Sequence, residues 1–158
     1  MIKLIWAMDH NWLIGNGDRL PWHYKEDLIY YKENTRGKAV LMGDVTYYSL
    51  KGYYKDKPLP YGKIYVASLK DLTLPDATVI TNLKTFLENY QKDEELWVVG
   101  GATVYQLALP YADYLYITFV NGNYCGDRYF PKFDLNKAFK LISSRYSDPL
   151  EFTVYERK

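Results

Sequence analysis

A single cysteine, Cys125, rules out any disulfide within the chain and leaves no thiolate cluster for a metal. Histidine is scarce too, since His10 and His23 could hold an ion only with several carboxylates beside them. Excess charge is missing: the formal net charge is +1, and no basic cluster is dense enough to follow a phosphate backbone. Nucleic-acid and membrane partners are therefore not expected. The apolar opening Met1–Met8 stops at Asp9-His10-Asn11, too short for a signal core or a membrane span, and reads as a buried first strand. No stretch rich in Gly, Ser or Pro divides the chain and no repeat recurs, so residues 1–158 read as one domain. A metal-free, cytoplasmic protein is the expectation these absences leave; a monomer is expected as well, with tyrosine-rich surfaces leaving a dimer open.

Tyrosine is abundant, with 18 copies and the doublets Tyr30-Tyr31, Tyr47-Tyr48 and Tyr53-Tyr54. Such rings fill a core or an interface while the hydroxyl reaches a partner or water. Apolar runs of strand length (Ile2–Met8, Ala39–Met42, Lys63–Ala67, Thr78–Thr81, Leu96–Val99, Tyr114–Asn121) alternate with helical stretches. Helices are predicted at Tyr24–Thr35, Val45–Leu50, Leu83–Tyr90 and Ala102–Leu109, with Asn82 as an N-cap for the third. Lys140–Tyr146 and Phe152–Arg157 alternate around Asp148-Pro149, the pattern of a hairpin. The reading is α/β: three layers, a mostly parallel mixed sheet of about eight strands, a C-terminal antiparallel hairpin, and about four flanking helices.

One carboxylate breaks the helical pattern. Asp27 shares a stripe with Tyr24, Leu28 and Tyr31, whereas Lys25, Glu26, Lys32 and Glu33 mark the solvated side. A carboxylate facing a core is costly unless it is hydrogen-bonded or titrates with a raised pKa, which makes it a functional candidate. The alternative is an ion pair with a distant Lys or Arg, or a helix rotated to let it reach water. Glycines cluster where strands end: Ile14-Gly15-Asn16-Gly17, Met42-Gly43 and Val99-Gly100-Gly101. Open α/β sheets bind ligands at those ends. Gly100-Gly101 before a helix suits a phosphate, although a tight strand-to-helix turn is the commoner cause of such a pair.

These signals stand in one order with tight spacing. Leu4-Ile5-Trp6-Ala7-Met8-Asp9, Leu13-Ile14-Gly15, Leu20-Pro21-Trp22-His23, Asp27-Leu28, Tyr31-Lys32 and Leu41-Met42-Gly43 with Thr46 come first. Val99-Gly100-Gly101-Ala102 with Val104-Tyr105, and Gly126-Asp127 with Phe130-Pro131, follow. The chain resembles dihydrofolate reductases of the monomeric chromosomal type, from Ile2 to its end. That resemblance implies reduction of 7,8-dihydrofolate to tetrahydrofolate by hydride transfer from NAD(P)H to C6. Asp27 would hold the pterin's amino group and ring nitrogen and favour protonation of N5. Trp22 would order a water near Asp27, and Leu20 would sit in a mobile loop, about Asp9–His23, that closes over the nicotinamide. The substrate slot would be lined by Ile5, Ala7, Leu28, Tyr31, Leu50, Val99 and Thr118. The cofactor would lie along Ala7, Ile14, Gly15, Gly43, Asp44, Val45, Thr46, Ser68, Leu69, Lys70 and the Gly100, Gly101, Ala102, Thr103, Val104, Tyr105 turn. The resemblance also implies a cis Gly100–Gly101 bond and a Gly126-Asp127 pair that backs the loop. For Trp22 and Tyr105, plain core packing is the competing reading.

The chain departs from the resembled pattern where anions are gripped. An arginine that usually follows Met-Gly and holds the 2′-phosphate is Asp44 here, and a second one is Thr103. The serine-rich turn is reduced to Ser68-Leu69-Lys70. Acid repels a phosphate but suits a ribose 2′-hydroxyl, so NADPH preference is expected to be weakened and NADH tolerated, with Lys70 as compensating cation. The Leu-Pro-x-Arg that clamps the substrate's glutamate is Leu59-Pro60-Tyr61-Gly62, followed by Lys63, a point charge rather than a fork. Weaker dihydrofolate binding with less dependence on the glutamate is expected. Two other functions compete: reduction of a tail-less dihydropterin or related heterocycle on the same fold, and non-catalytic binding of a pterin or nucleotide.

Overall fold

Strand β1 (Ile2–Asp9) is apolar on both faces because the sheet is covered on both. Ile2, Leu4, Trp6 and Met8 enter one buried cluster, while Ile5 enters another on the opposite face. The computed structural model describes residues 1–17, 19–91 and 93–158. After β1 come β2 (Leu13–Gly15), α1 (Lys25–Thr35), β3 (Ala39–Gly43), α2 (Asp44–Tyr53), β4 (Ile64–Ala67), β5 (Thr78–Ile80) and α3 (Leu83–Asn89). They are followed by β6 (Leu96–Val98), α4 (Ala102–Ala108), a 3-10 turn (Leu109–Tyr111), β7 (Tyr114–Val120), β8 (Arg128–Tyr129), α5 (Leu135–Ala138), β9 (Phe139–Ser147) and β10 (Leu150–Arg157).

Eight strands form one sheet in the order β5-β4-β3-β6-β1-β7-β10-β9. The pairs from β5 through to β7 are parallel, and β10 runs antiparallel to both β7 and β9. This is the mixed α/β sheet with a C-terminal hairpin that the sequence led us to expect. Leu96-Trp97-Val98 is buried at every position, as a central strand covered on both faces must be. Val104, Tyr105 and Ala108 of α4 pack with Leu4, Met8 and Val98 on one face. Tyr30 and Tyr31 of α1 pack with Val40, Met42 and Trp97 on the other. Asn82 caps α3, its side chain accepting from the Thr85 N–H at 3.1 Å.

The structure adds short elements that periodicity did not predict. β2 and β8 pair as a separate two-stranded sheet, and α5 is a single turn whose N-cap Asp134 accepts from the Lys137 N–H. With this short turn, the α-helices among the described residues are five. α2 begins at Asp44 and runs on to Tyr53, beyond the predicted Leu50. β9 alternates in sequence yet lies exposed along most of its length, because it is the sheet edge, where Leu141 and Ile142 are exposed. No helix among the described residues is long and apolar enough to cross a membrane.

Candidate active site

Asp27 sits in the first turns of α1, where its side chain meets the sheet rather than solvent. The hydroxyl of Thr118, a buried residue of β7, donates to its carboxylate. Burial pushes the Asp27 carboxyl above its ordinary range, and the bond from Thr118 offsets only part of that. Thr118 is in register with Ala7 of β1 and Phe152 of β10, so Asp27 lies over the β1–β7–β10 part of the sheet. Trp22 is buried in the cluster that contains Phe152 and Ala7, edge-on to Tyr124 with ring centroids 5.3 Å apart. Its indole N–H is buried with no acceptor among the described residues, so a polar partner is owed to it. The Tyr24 and Tyr124 hydroxyls bond to each other across the same cluster.

Ile5, Tyr31, Leu50 and Val99 come together in a single cluster. Ala7 packs instead beside Trp22, and Leu28, half-buried on α1, is not among the side chains packed on either group. The Ile5 carbonyl accepts from the buried Tyr105 hydroxyl at 2.6 Å, so Tyr105 joins α4 to the strand that carries the cleft. The Tyr105 ring is therefore core, the competing reading of that residue, while its hydroxyl is spent on the Ile5 carbonyl.

The glycine turn is tied to the end of β3. The Gly43 N–H donates to the Gly100 carbonyl at 2.9 Å, and Gly100 and Gly101 are joined by a cis peptide bond. A Cβ on Gly100 would stand 3.4 Å from the Thr46 hydroxyl oxygen, and one on Gly43 would press on Val104 at 3.3 Å. Gly100 also has a φ of +134°, open to glycine at little cost. Glycine at 100 and 101 keeps side chains away from the Thr46 hydroxyl, with Gly100 buried and Gly101 half-buried. Ala102 is half-buried, Thr103 and Val45 are exposed, and Val104 is core.

At the ends of β3 and β4, the buried Ser68 hydroxyl donates to the Asp44 carboxylate at 2.8 Å and accepts from the Lys70 N–H at 3.1 Å. Leu69 is almost wholly exposed, and the Lys70 side chain is exposed as well. The segment Asp9–His23 is anchored at its start by Asp9, whose carboxylate accepts from the Asn11 and Leu13 N–H groups. Further on, the Asp127 carboxylate accepts from the Gly17 N–H at 2.8 Å, and the Asp127 N–H donates to the Gly15 carbonyl at 3.1 Å. Gly126 must be glycine in this conformation, since a Cβ would lie 2.3 Å from the Gly15 carbonyl oxygen. Ile14 packs on the α4-side cluster, and Leu20 is exposed rather than folded into the cleft. Asp18, inside the same segment, lies outside the described residues.

Tyr61 was not among the expected site residues, yet its hydroxyl lies 2.8 Å from that of Tyr31 in the cleft cluster. Nothing in the sequence signals that contact. Gly62, the position where a tail-clamping arginine was sought, has no room for any side chain: a Cβ would stand 2.7 Å from the Gly37 carbonyl oxygen. Two surface hollows, of about 310 and 330 Å³, lie elsewhere, one lined by Tyr65, Phe86 and Tyr90 and the other beside Asp113 and Arg157.

Comparison with known proteins identifies the family. The family model described as dihydrofolate reductase matches residues 1–157. The chain is 40% identical to the dihydrofolate reductase of Bacillus subtilis, over 100% of this chain and 95% of that protein. It is 36% identical to the dihydrofolate reductase type 3 of Salmonella typhimurium, over 100% of this chain and 99% of that one. Among solved structures, the dihydrofolate reductase from Enterococcus faecalis complexed with NADP(H) and RAB-propyl shares the fold, with a TM-score of 0.85 at 24% identity over 100% of this chain and 96% of that chain. The chain belongs to the dihydrofolate reductase family.

Proposed function

We propose that this protein reduces 7,8-dihydrofolate to tetrahydrofolate with NADPH, and that Asp27 is the residue around which the reaction is built. The observation that carries this reading is a half-buried carboxylate on an apolar helix face, bonded by Thr118 and held above its ordinary range. Its two oxygens can accept from the pterin's amino group and the adjacent ring nitrogen, a pair of charge-assisted bonds that offset the cost of burial. A carboxyl with a raised pKa also keeps a proton available closer to neutrality, which favours protonation at N5 as C6 is reduced.

When bound, NADPH supplies the hydride that goes to C6. The residues present fit a dinucleotide along most of its length. Gly100, buried, and Gly101, half-buried, put no side chain beside the Thr46 hydroxyl, where a polar diphosphate can approach closely. The fit is poorest at the adenosine end, where Asp44 holds a negative charge against Ser68. Trp22 shields the Asp27 side of the cleft, and its unpartnered indole N–H can hold a water there. The Asp127 bonds to Gly15 and Gly17 position the segment that would exclude solvent from the nicotinamide.

The reading is of a monomer, and a lone exposed Cys125 suits a reducing, cytoplasmic setting. One observation favours a second reading. The closed space at Gly62 removes the expected tail clamp, as a reductase of tail-less dihydropterins would require. The deciding experiment follows the loss of nicotinamide absorbance with NADPH and dihydrofolate. Oxidation that depends on dihydrofolate and disappears in Asp27→Asn supports the reading. Turnover only with a tail-less dihydropterin would replace it by the second.

A further inference from the structure

Tyr31 comes from the middle of α1 and Tyr61 from the segment between α2 and β4, so their hydroxyl contact at 2.8 Å ties two walls together. Both rings pack on the cluster that contains Ile5, Leu50 and Val99, the proposed walls of the substrate slot. Tyr105, bonded to the Ile5 carbonyl at the floor, lies within electrostatic reach of both phenols. Burial pushes the Tyr31 and Tyr61 phenols up, so both stay neutral at physiological pH. Their contact is an O–H···O bond between uncharged groups, of the kind exchanged for other bonds at small net cost.

The backbone around Tyr61 cannot retreat to open this contact. The Gly37 N–H donates to the Pro60 carbonyl at 2.9 Å, and the Gly62 N–H donates to the Lys38 carbonyl at 2.9 Å. These bonds pin the segment on both sides of Tyr61 to the turn after α1, against which Gly62 is already packed. Parting the two walls therefore falls to rotation of a tyrosine side chain. The resemblance puts the tail clamp in the Leu59–Lys63 run, so in the reductase reading the pair would stand at the end of the slot through which a substrate's aminobenzoyl-glutamate tail leaves.

We propose that Tyr61 is a specificity-determining gate: its bond to Tyr31 closes the tail end of the slot, and dihydrofolate, unlike a tail-less dihydropterin, must break that bond to bind. This rests on the reductase reading and deepens it by naming what selects the substrate. The test measures kcat and KM for dihydrofolate and for 6-methyl-7,8-dihydropterin in the wild type, Tyr61→Phe and Tyr31→Phe. Severing the bond from the Tyr61 side should lower KM for dihydrofolate about fivefold, the release of one ordinary hydrogen bond, while KM for the methyl compound moves less than about twofold. Tyr31→Phe severs the same bond from the other wall, so it should shift the ratio of the two KM values in the same direction. The double variant should shift that ratio no further than either single one. A dihydrofolate KM that stays constant or rises in Tyr61→Phe, or an equal fall for both substrates, overturns the gate while the reductase reading stands. Turnover of neither substrate by the folded wild type overturns both.

Discussion

The Thr118 hydroxyl on β7 donates a hydrogen bond to the Asp27 carboxylate on α1, joining the acid to the sheet it faces. Burial still outweighs that bond, so the Asp27 carboxyl titrates above its ordinary value of 3.8. The sign for stability follows. Between its unfolded and folded pKa values the native state binds more protons than the unfolded chain, so stability falls as pH rises through that window. Above it, the ionised acid is a standing cost to the fold. Asp27→Asn should therefore lose at least about a hundredfold in kcat/KM, the scale of a missing proton-handling group. It should also raise Tm at neutral pH, with the gain shrinking as pH falls toward 3.8. Thermal unfolding across a pH series, alongside turnover, checks both halves.

Replacing Thr118 by valine keeps the shape of a buried side chain and deletes the donor. The bond favours the ionised form of Asp27, so its loss should move the carboxyl still higher. The expected outcome is an upward shift of the Asp27-dependent limb in the pH profile of kcat/KM. A profile that superimposes on the wild type would show that Thr118 serves the core alone.

How much of this was legible in the sequence depended on distance along the chain. β1 and β6 announced themselves as continuous apolar runs, because a strand covered on both faces has no polar side to display. Asp27 was legible for the opposite reason, as one charge on an otherwise apolar helical stripe. β2 and β8 were not, since a three-residue and a two-residue strand are too short for any period to register. The Tyr31–Tyr61 bond spans thirty positions, and in a chain with 18 tyrosines no local pattern selects that pair. Thr118 entered through family resemblance and the glycine turn through glycines clustered at strand ends, and the sheet register explains why they converge: parallel neighbours bring strand ends distant in sequence to one edge.

Cofactor choice should answer to Asp44. Its carboxylate is fixed by Ser68 at the end of β3, and the exposed Lys70 is the cation offered by the same turn. A dianionic 2′-phosphate placed there meets a negative charge, whereas a ribose hydroxyl meets an acceptor. Asp44→Asn should lower KM for NADPH by roughly three- to tenfold and leave KM for NADH within about twofold, the effect of one screened charge near the surface. Because Asp44 is only half-buried, the gain should shrink as salt is raised. Equal responses of the two cofactors would place the phosphate away from Asp44.

Restoring the family's arginine is the remaining prediction, and the structure says it should fail. At Gly62 a Cβ would meet the Gly37 carbonyl oxygen at 2.7 Å, and that carbonyl belongs to backbone rather than to a side chain that could swing aside. The segment has no slack to absorb the clash, because Gly62 donates to the Lys38 carbonyl and Pro60 accepts from the Gly37 N–H. Gly62→Arg should thus cost about 1–3 kcal/mol of stability, as overpacked positions do, and lower Tm without lowering KM for dihydrofolate. The loss of the clamp is then a property of the backbone path between α1 and β4, and no single substitution at that position reverses it. Measured KM and Tm for the variant decide the matter: tighter dihydrofolate binding with an unchanged Tm would mean that the turn at Gly37 moves freely.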